Sequence, residues 1–141
     1  MQLSEIKDVR DQFGSDWREI VDQSVNYAET DFEVGNYRFI SSDAIDDILV
    51  EELESDPYVL GCFTAWAIHQ ATDWPMALIE ACQKAEVFEA LGQAIIKEGY
   101  TGDLADVLVT HDGYGHHFNR YDGSEEELDL GGETYYAFRI D

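Results

Sequence analysis

Acidic side chains outnumber basic ones by 31 to 8 in this chain of 141 residues, a formal net charge of −23. A soluble domain stays dispersed with a modest excess of one sign, and self-repulsion from anything larger opposes the compact state. Such a chain folds only around a substantial apolar core, and the charge is spread in a way that leaves room for one. Residues 1–56 hold 16 acidic and 4 basic side chains, residues 57–99 hold 5 and 2, and residues 100–141 hold 10 and 2. Between the two acidic ends, Pro57 to Gly99 carries Leu60, Phe63, Trp66, Ile68, Met76, Leu78, Ile79, Val87, Phe88, Leu91, Ile95 and Ile96. That stretch reads as the structural centre.

Disordered acidic chains are poor in aromatic and branched apolar residues. This one is 45% hydrophobic with three Trp, eight Tyr and seven Phe, so it is expected to fold, as one globular domain over 1–141 by its length. Cys62 and Cys82 fall within apolar helical pattern and read as buried thiols of a cytoplasmic protein, the cytoplasm of the host cell if the chain is phage-encoded. No N-terminal segment has the build of a secretory signal. No apolar run approaches the roughly 18 residues of a membrane span, and the acidity argues against an anionic membrane surface.

Apolar residues at helical spacing predict two short N-terminal helices, one ending at Gly14 and one following Ser15. Alternation around Tyr37 and Phe39, just after Gly35-Asn36, predicts a strand near 36–40. Ser41-Ser42-Asp43 offers caps for a helix from about Asp43 to Glu54. Asp56-Pro57 and Asp73-Trp74-Pro75 mark two further starts, with helices near 57–71 and 75–98, the latter bent or broken around Gly92, and a short one near 103–110. His116–Tyr121 and Thr134–Ile140 read as β-prone segments joined by a polar loop. The fold class is therefore α+β and mostly helical, with a small antiparallel sheet of about three strands.

On the 43–56 segment, Asp43, Asp46, Asp47, Glu51, Glu52, Glu54 and Asp56 occupy the faces away from the apolar stripe. Carboxylates three or four positions apart on a helix sit about 5–6 Å apart at Cβ, close enough together to imitate a run of phosphates. Area scaling gives roughly 7,400 Å² of folded surface, or about 320 Å² per excess charge. A duplex cylinder presents ~110 Å² per phosphate. Excess charge gathered on half the surface would come within a factor of two of that density. A second run, Glu125, Glu126, Glu127 and Asp129, falls in the expected hairpin loop, where it serves as a solubilising turn or a second contact.

Other readings compete. Acidic helix faces are commonly just solvated, and a salt-adapted protein is also acidic and poor in lysine; only Lys7, Lys84 and Lys97 occur here. No segment fits a twelve-residue calcium loop. The segment His111–Gly123 holds three His and two Asp, which invites a metal or general-base reading, but adjacent strand positions would point His116 and His117 to opposite faces. Glycine turns and aromatic packing account for it more simply. His69 reads as a core or interface histidine. No nucleophile elbow, phosphate-binding loop or paired-cysteine motif is present, so no catalytic residue, no metal ligand and no cofactor is assigned.

Small size, the acidic helix after Ser41-Ser42 and the lack of catalytic motifs make the chain resemble the small acidic inhibitors carried by phages and mobile elements, among them DNA-mimic anti-restriction and anti-CRISPR proteins. Asp112–Gly123 also looks like segments of small phage-encoded proteins. The strong apolar middle departs from the most acidic mimics. The resemblance implies a non-enzymatic inhibitor whose partner is a basic nucleic-acid-binding protein or nuclease complex, with no direct contact to nucleic acid or membrane. Trp17, Tyr37 or Tyr58 would supply an aromatic anchor, and a homodimer paired through apolar faces would extend the acidic surface. The alternatives are an immunity protein or antitoxin covering a basic toxin, and a metal-dependent enzyme centred on His111, His116 or His117 and Asp122.

Overall fold

A computed structural model describes all 141 residues, and they pack as two compact units. The first comprises Met1–Ile45 and Tyr114–Asp141, the second Asp46–Gly113. The class is α+β and mostly helical, as expected, with a small antiparallel sheet.

In the first unit, helix α1 (Leu3–Phe13) leads through a 3₁₀ turn into α2 (Trp17–Val21), which ends in a π turn over Asp22–Asn26. The strands are β1 (Asp31–Val34), β2 (Tyr37–Ser41), β3 (Glu126–Leu130) and β4 (Glu133–Arg139), in the order β1-β2-β4-β3. The sheet therefore has four strands, not three. Gly35-Asn36 is the two-residue turn of a β1–β2 hairpin, so the single strand expected near 36–40 is the second arm of a pair. In β4 the expected strand 134–140 stands almost as read. Its partner is not 116–121: that segment forms a short helix, α9 (Gly115–Phe118), followed by a turn. Asn119 organises the turn, accepting from the Tyr121 and Asp122 amides at 2.8 and 3.0 Å and donating to the Ser124 carbonyl at 2.7 Å. An Asn with both ends satisfied by local backbone draws the chain away from a strand ladder.

The true partner is the acidic run itself. Leu128 and Leu130 alternate with Glu127 and Asp129, and Gly131-Gly132, both at positive φ, close the hairpin as a two-residue turn requires. One sheet face joins the two N-terminal helices in a core of Val9, Ile20, Phe32, Val34, Phe39, Leu128, Leu130, Tyr135 and Ala137. Phe13 seals its edge, meeting Tyr37 and Phe39 edge-on at 5.0 and 5.2 Å. On the other face, Phe118 of α9 packs on Phe138 at 5.2 Å, and Arg38 pairs with Asp31 through two hydrogen bonds of 2.7 and 2.8 Å.

Helix α3 (Ile45–Glu54) begins at the boundary and otherwise belongs to the second unit, followed by α4 (Pro57–Cys62), α5 (Ala65–Thr72), α6 (Met76–Lys84), α7 (Phe88–Lys97) and α8 (Thr101–Asp112). Asp56 caps α4 as expected, its Oδ1 accepting from the Val59 amide at 3.3 Å ahead of Pro57. The expected 57–71 helix is interrupted after Cys62, where Phe63 is extended and Thr64 caps α5 through the Ala67 amide at 3.3 Å. The expected 75–98 helix breaks at Ala85–Val87, with Glu86 at φ +61°, and not at Gly92. Gly92 lies inside α7 because α4 crosses it there: a Cβ at Gly92 would stand 1.7 Å from the Pro57 carbonyl oxygen, and one at Gly61 1.9 Å from that of Phe88. Gln83 closes the α4–α5 junction, donating to the carbonyls of Gly61 and Phe63 at 3.0 and 2.6 Å. Neither cysteine is buried: Cys62 is exposed at the end of α4, Cys82 is half-buried, and both are free thiols. No helix is long and apolar enough to cross a membrane.

Candidate acidic interaction surface

The apolar residues Ile45, Leu49 and Leu53 recur at four-residue spacing and bury one stripe of α3. At 100° per residue, Asp47, Glu51 and Glu54 fall on the opposite arc and Asp46 on the flank of the stripe, and all four are exposed. Glu52 turns to the flank of the buried stripe and is half-covered. Asp43 precedes the helix, exposed, with its amide donating to Ser41 Oγ at 3.2 Å. Ser41 is itself buried and donates to Glu133 Oε1 at 2.5 Å, so the entry to α3 is tied to β4. Asp56 is exposed but engaged as the α4 cap. Of the seven carboxylates assigned to this segment, three, Asp47, Glu51 and Glu54, share the helix face opposite the stripe.

The second acidic group is arranged differently. Glu126, Glu127 and Asp129 lie within β3, an edge strand, and not in a loop; Glu125 immediately precedes it. Strand alternation sends Glu126 to the face of Leu128 and Leu130, and Glu127 and Asp129 to the other. Asp129 also accepts a hydrogen bond from Thr134 at 3.2 Å. Carboxylates spread over both faces of an edge strand make no single docking face. They are suited to repelling strand addition at that edge.

The histidine segment is divided between the units. His111 ends α8 in the helical unit, whereas His116 and His117 sit on α9 in the sheet unit. No group of three His, Cys, Asp or Glu converges as a metal-ligand set. Asp122 accepts from the Ser124 hydroxyl and amide at 2.7 and 3.0 Å, and these bonds hold its carboxyl below the usual carboxylate range. A carboxylate so stabilised is a poor proton acceptor. His69 is half-buried, with Nδ1 at 2.7 Å from the Trp74 carbonyl oxygen, and helps hold the α5–α6 turn.

Among the aromatic anchors read from the sequence, Trp17 is flanked by Arg10 and Arg18 at 4.8 and 5.4 Å, and Tyr37 is half-buried in the sheet core. Tyr58 is exposed, edge-on to Phe88 at 5.4 Å. Sequence reading passed over Trp66, assigned there to the apolar centre. The residue is 43% exposed, and its ring meets His111 edge-to-face at 4.5 Å. Together with Gln70, Asp106, Val107 and Thr110 the pair lines a pocket of about 230 Å³ between α5 and α8. The signal was present as spacing, since 66 and 70 share one helix face, as do 106, 107, 110 and 111. A larger cleft of about 300 Å³ between α6 and α7, walled by Trp74, Leu78, Cys82 and Val87, is almost wholly apolar. No protein-family model matches this chain, and comparison with curated proteins and with solved structures gives no match.

Proposed function

We propose that the chain is a non-catalytic acidic inhibitor. The carboxylate face of α3 occupies the cationic nucleic-acid-binding groove of a host defence nuclease or complex, in the manner of anti-restriction and anti-CRISPR mimics. One observation carries this reading: Asp47, Glu51 and Glu54 are exposed together on a helix whose opposite stripe is buried, with Asp46 exposed at its flank. From Asp47 to Glu54 the helix rises about 10 Å, and it presents three carboxylates over that distance. One strand of a duplex presents about three phosphates over the same length, at ~3.4 Å each. A buried stripe holds the helix in place, so little ordering entropy opposes binding. The surrounding field steers a cationic partner and makes the association salt-sensitive.

The test is the quadruple variant Asp46→Lys, Asp47→Lys, Glu51→Lys and Glu54→Lys, checked for an unchanged far-ultraviolet circular dichroism spectrum. The wild-type chain is expected to protect incoming phage DNA in restricting or CRISPR-bearing cells. From host extract it should retain nucleic-acid-binding proteins that duplex DNA and rising salt release. The variant should lose both properties by about tenfold or more, as loss of close interfacial charge pairs does elsewhere. A folded variant with undiminished protection and capture overturns the proposal.

A further inference from the structure

Carboxylates steer a partner but give little grip, because each exposed ion pair gains little against solvent screening and side-chain ordering; a tight complex needs an anchor buried in a pocket. We infer that the Trp66 pocket is that anchor site and that it receives the guanidinium group of one arginine. The inference rests on the reading that the partner is cationic, and it names the side chain the partner inserts.

Three features select this ligand. Trp66, itself 43% exposed, lines the pocket with an indole, the aromatic ring on which a guanidinium stacks best. Asp106, exposed on α8 and carrying a carboxylate, lines the same pocket, as do Gln70 and Thr110, whose side chains carry neutral oxygen acceptors. A planar fork of five N–H donors can stack on the ring and address several acceptors at once, which a lysine ammonium cannot do. Third, the pocket holds no cation of its own kind: neither Lys nor Arg lines it, and the whole second unit contains 14 acidic residues, two lysines and no arginine. The His111 ring stands perpendicular to the indole, at 89°, and walls one side. The pocket volume of about 230 Å³ suits a single side chain and is below the usual range for drug-sized ligands.

The probe is N-acetyl-arginine amide, titrated into the isolated ¹⁵N-labelled protein at about 0.15 M salt, where the Debye length is ~8 Å and diffuse attraction to distant carboxylates is screened. The readout is the Trp66 indole N–H resonance, assigned with Trp66→Phe. Arginine amide should shift it saturably, lysine amide should bind more weakly, and the neutral isostere citrulline amide should leave it unmoved. Asp106→Asn, which keeps the shape and removes the charge, should weaken binding about fivefold or more, and Trp66→Phe, followed at the Gln70 side-chain amide, about twofold or more. A flat or non-saturating titration overturns the inference, as does equal binding of citrulline amide or an unchanged affinity in Asp106→Asn. The probe needs no partner, so this test and the α3 charge reversal fail separately. A flat titration removes the anchor even where charge reversal abolishes inhibition, and a saturable one upholds it even where inhibition survives.

Discussion

Tyr135 is the best placed residue for testing the sheet unit. It is 1% exposed, and its hydroxyl donates to the Glu29 carbonyl oxygen at 2.7 Å. Burial, with added repulsion from Glu133 and Glu29, pushes its pKa up to about 12 from an ordinary 10.0. In the unfolded chain the phenol ionises near 10, so between pH 10 and about 12 the folded state binds the extra proton. Stability is therefore undiminished below pH 10 and falls as pH rises through that window. Tyr135→Phe should cost about 1 kcal/mol at neutral pH through the lost hydrogen bond. It should also flatten the alkaline decline relative to wild type, measured by urea unfolding at a series of pH values; identical slopes would refute the assignment. Legibility at this scale followed locality. The Asp56 cap could be read because its partner lies three positions on. The exposure of Cys62 could not, because it depends on α4 stopping there, with Phe63 extended.

Among the elements, the α4–α7 pair depends on two glycines that read as weak points of a helix. Backbone carbonyls occupy the sites where Cβ atoms of Gly61 and Gly92 would stand, so neither position can accept even a methyl group without separating the helices. Gly92→Ala raises helix propensity by about 1 kcal/mol in isolation yet should destabilise the protein by about 3 kcal/mol or more, since the obstacle is backbone and cannot rotate away. Chemical denaturation decides the sign: a stabilised variant would mean that the two helices are not in this contact. The strands show the same dependence on neighbours. β3 carries a clean two-residue alternation in Leu128 and Leu130, but its flanking glutamates resemble a solvated loop, and at an edge that composition is compatible with a strand. His116–Tyr121 has the aromatic content of a strand, yet Asn119 captures its backbone for a turn.

For the molecule as a whole, charge that is lopsided along the sequence is almost evenly divided by the fold. The first unit holds 17 acidic and 6 basic side chains, and the second 14 and 2. Each unit therefore carries its own strong self-repulsion, and raising salt from about 0.01 to 0.15 M, which shortens the Debye length from ~30 to ~8 Å, should raise the melting temperature. The same change should weaken partner capture, so one variable moves stability and binding in opposite directions. Calorimetry over that range checks the first half, and a falling melting temperature would mean that attractive pairs dominate the surface. Composition and periodicity alone determined that the chain folds, that it is α+β and mostly helical, and where most helices begin, because each of these rests on contacts within a turn or two of chain. Tertiary structure decided the four-strand order and the meeting of Trp66 with Asp106 and His111. Those outcomes depend on residues up to a hundred positions apart, whose approach is set by packing and by backbone clearance, and no local pattern encodes them.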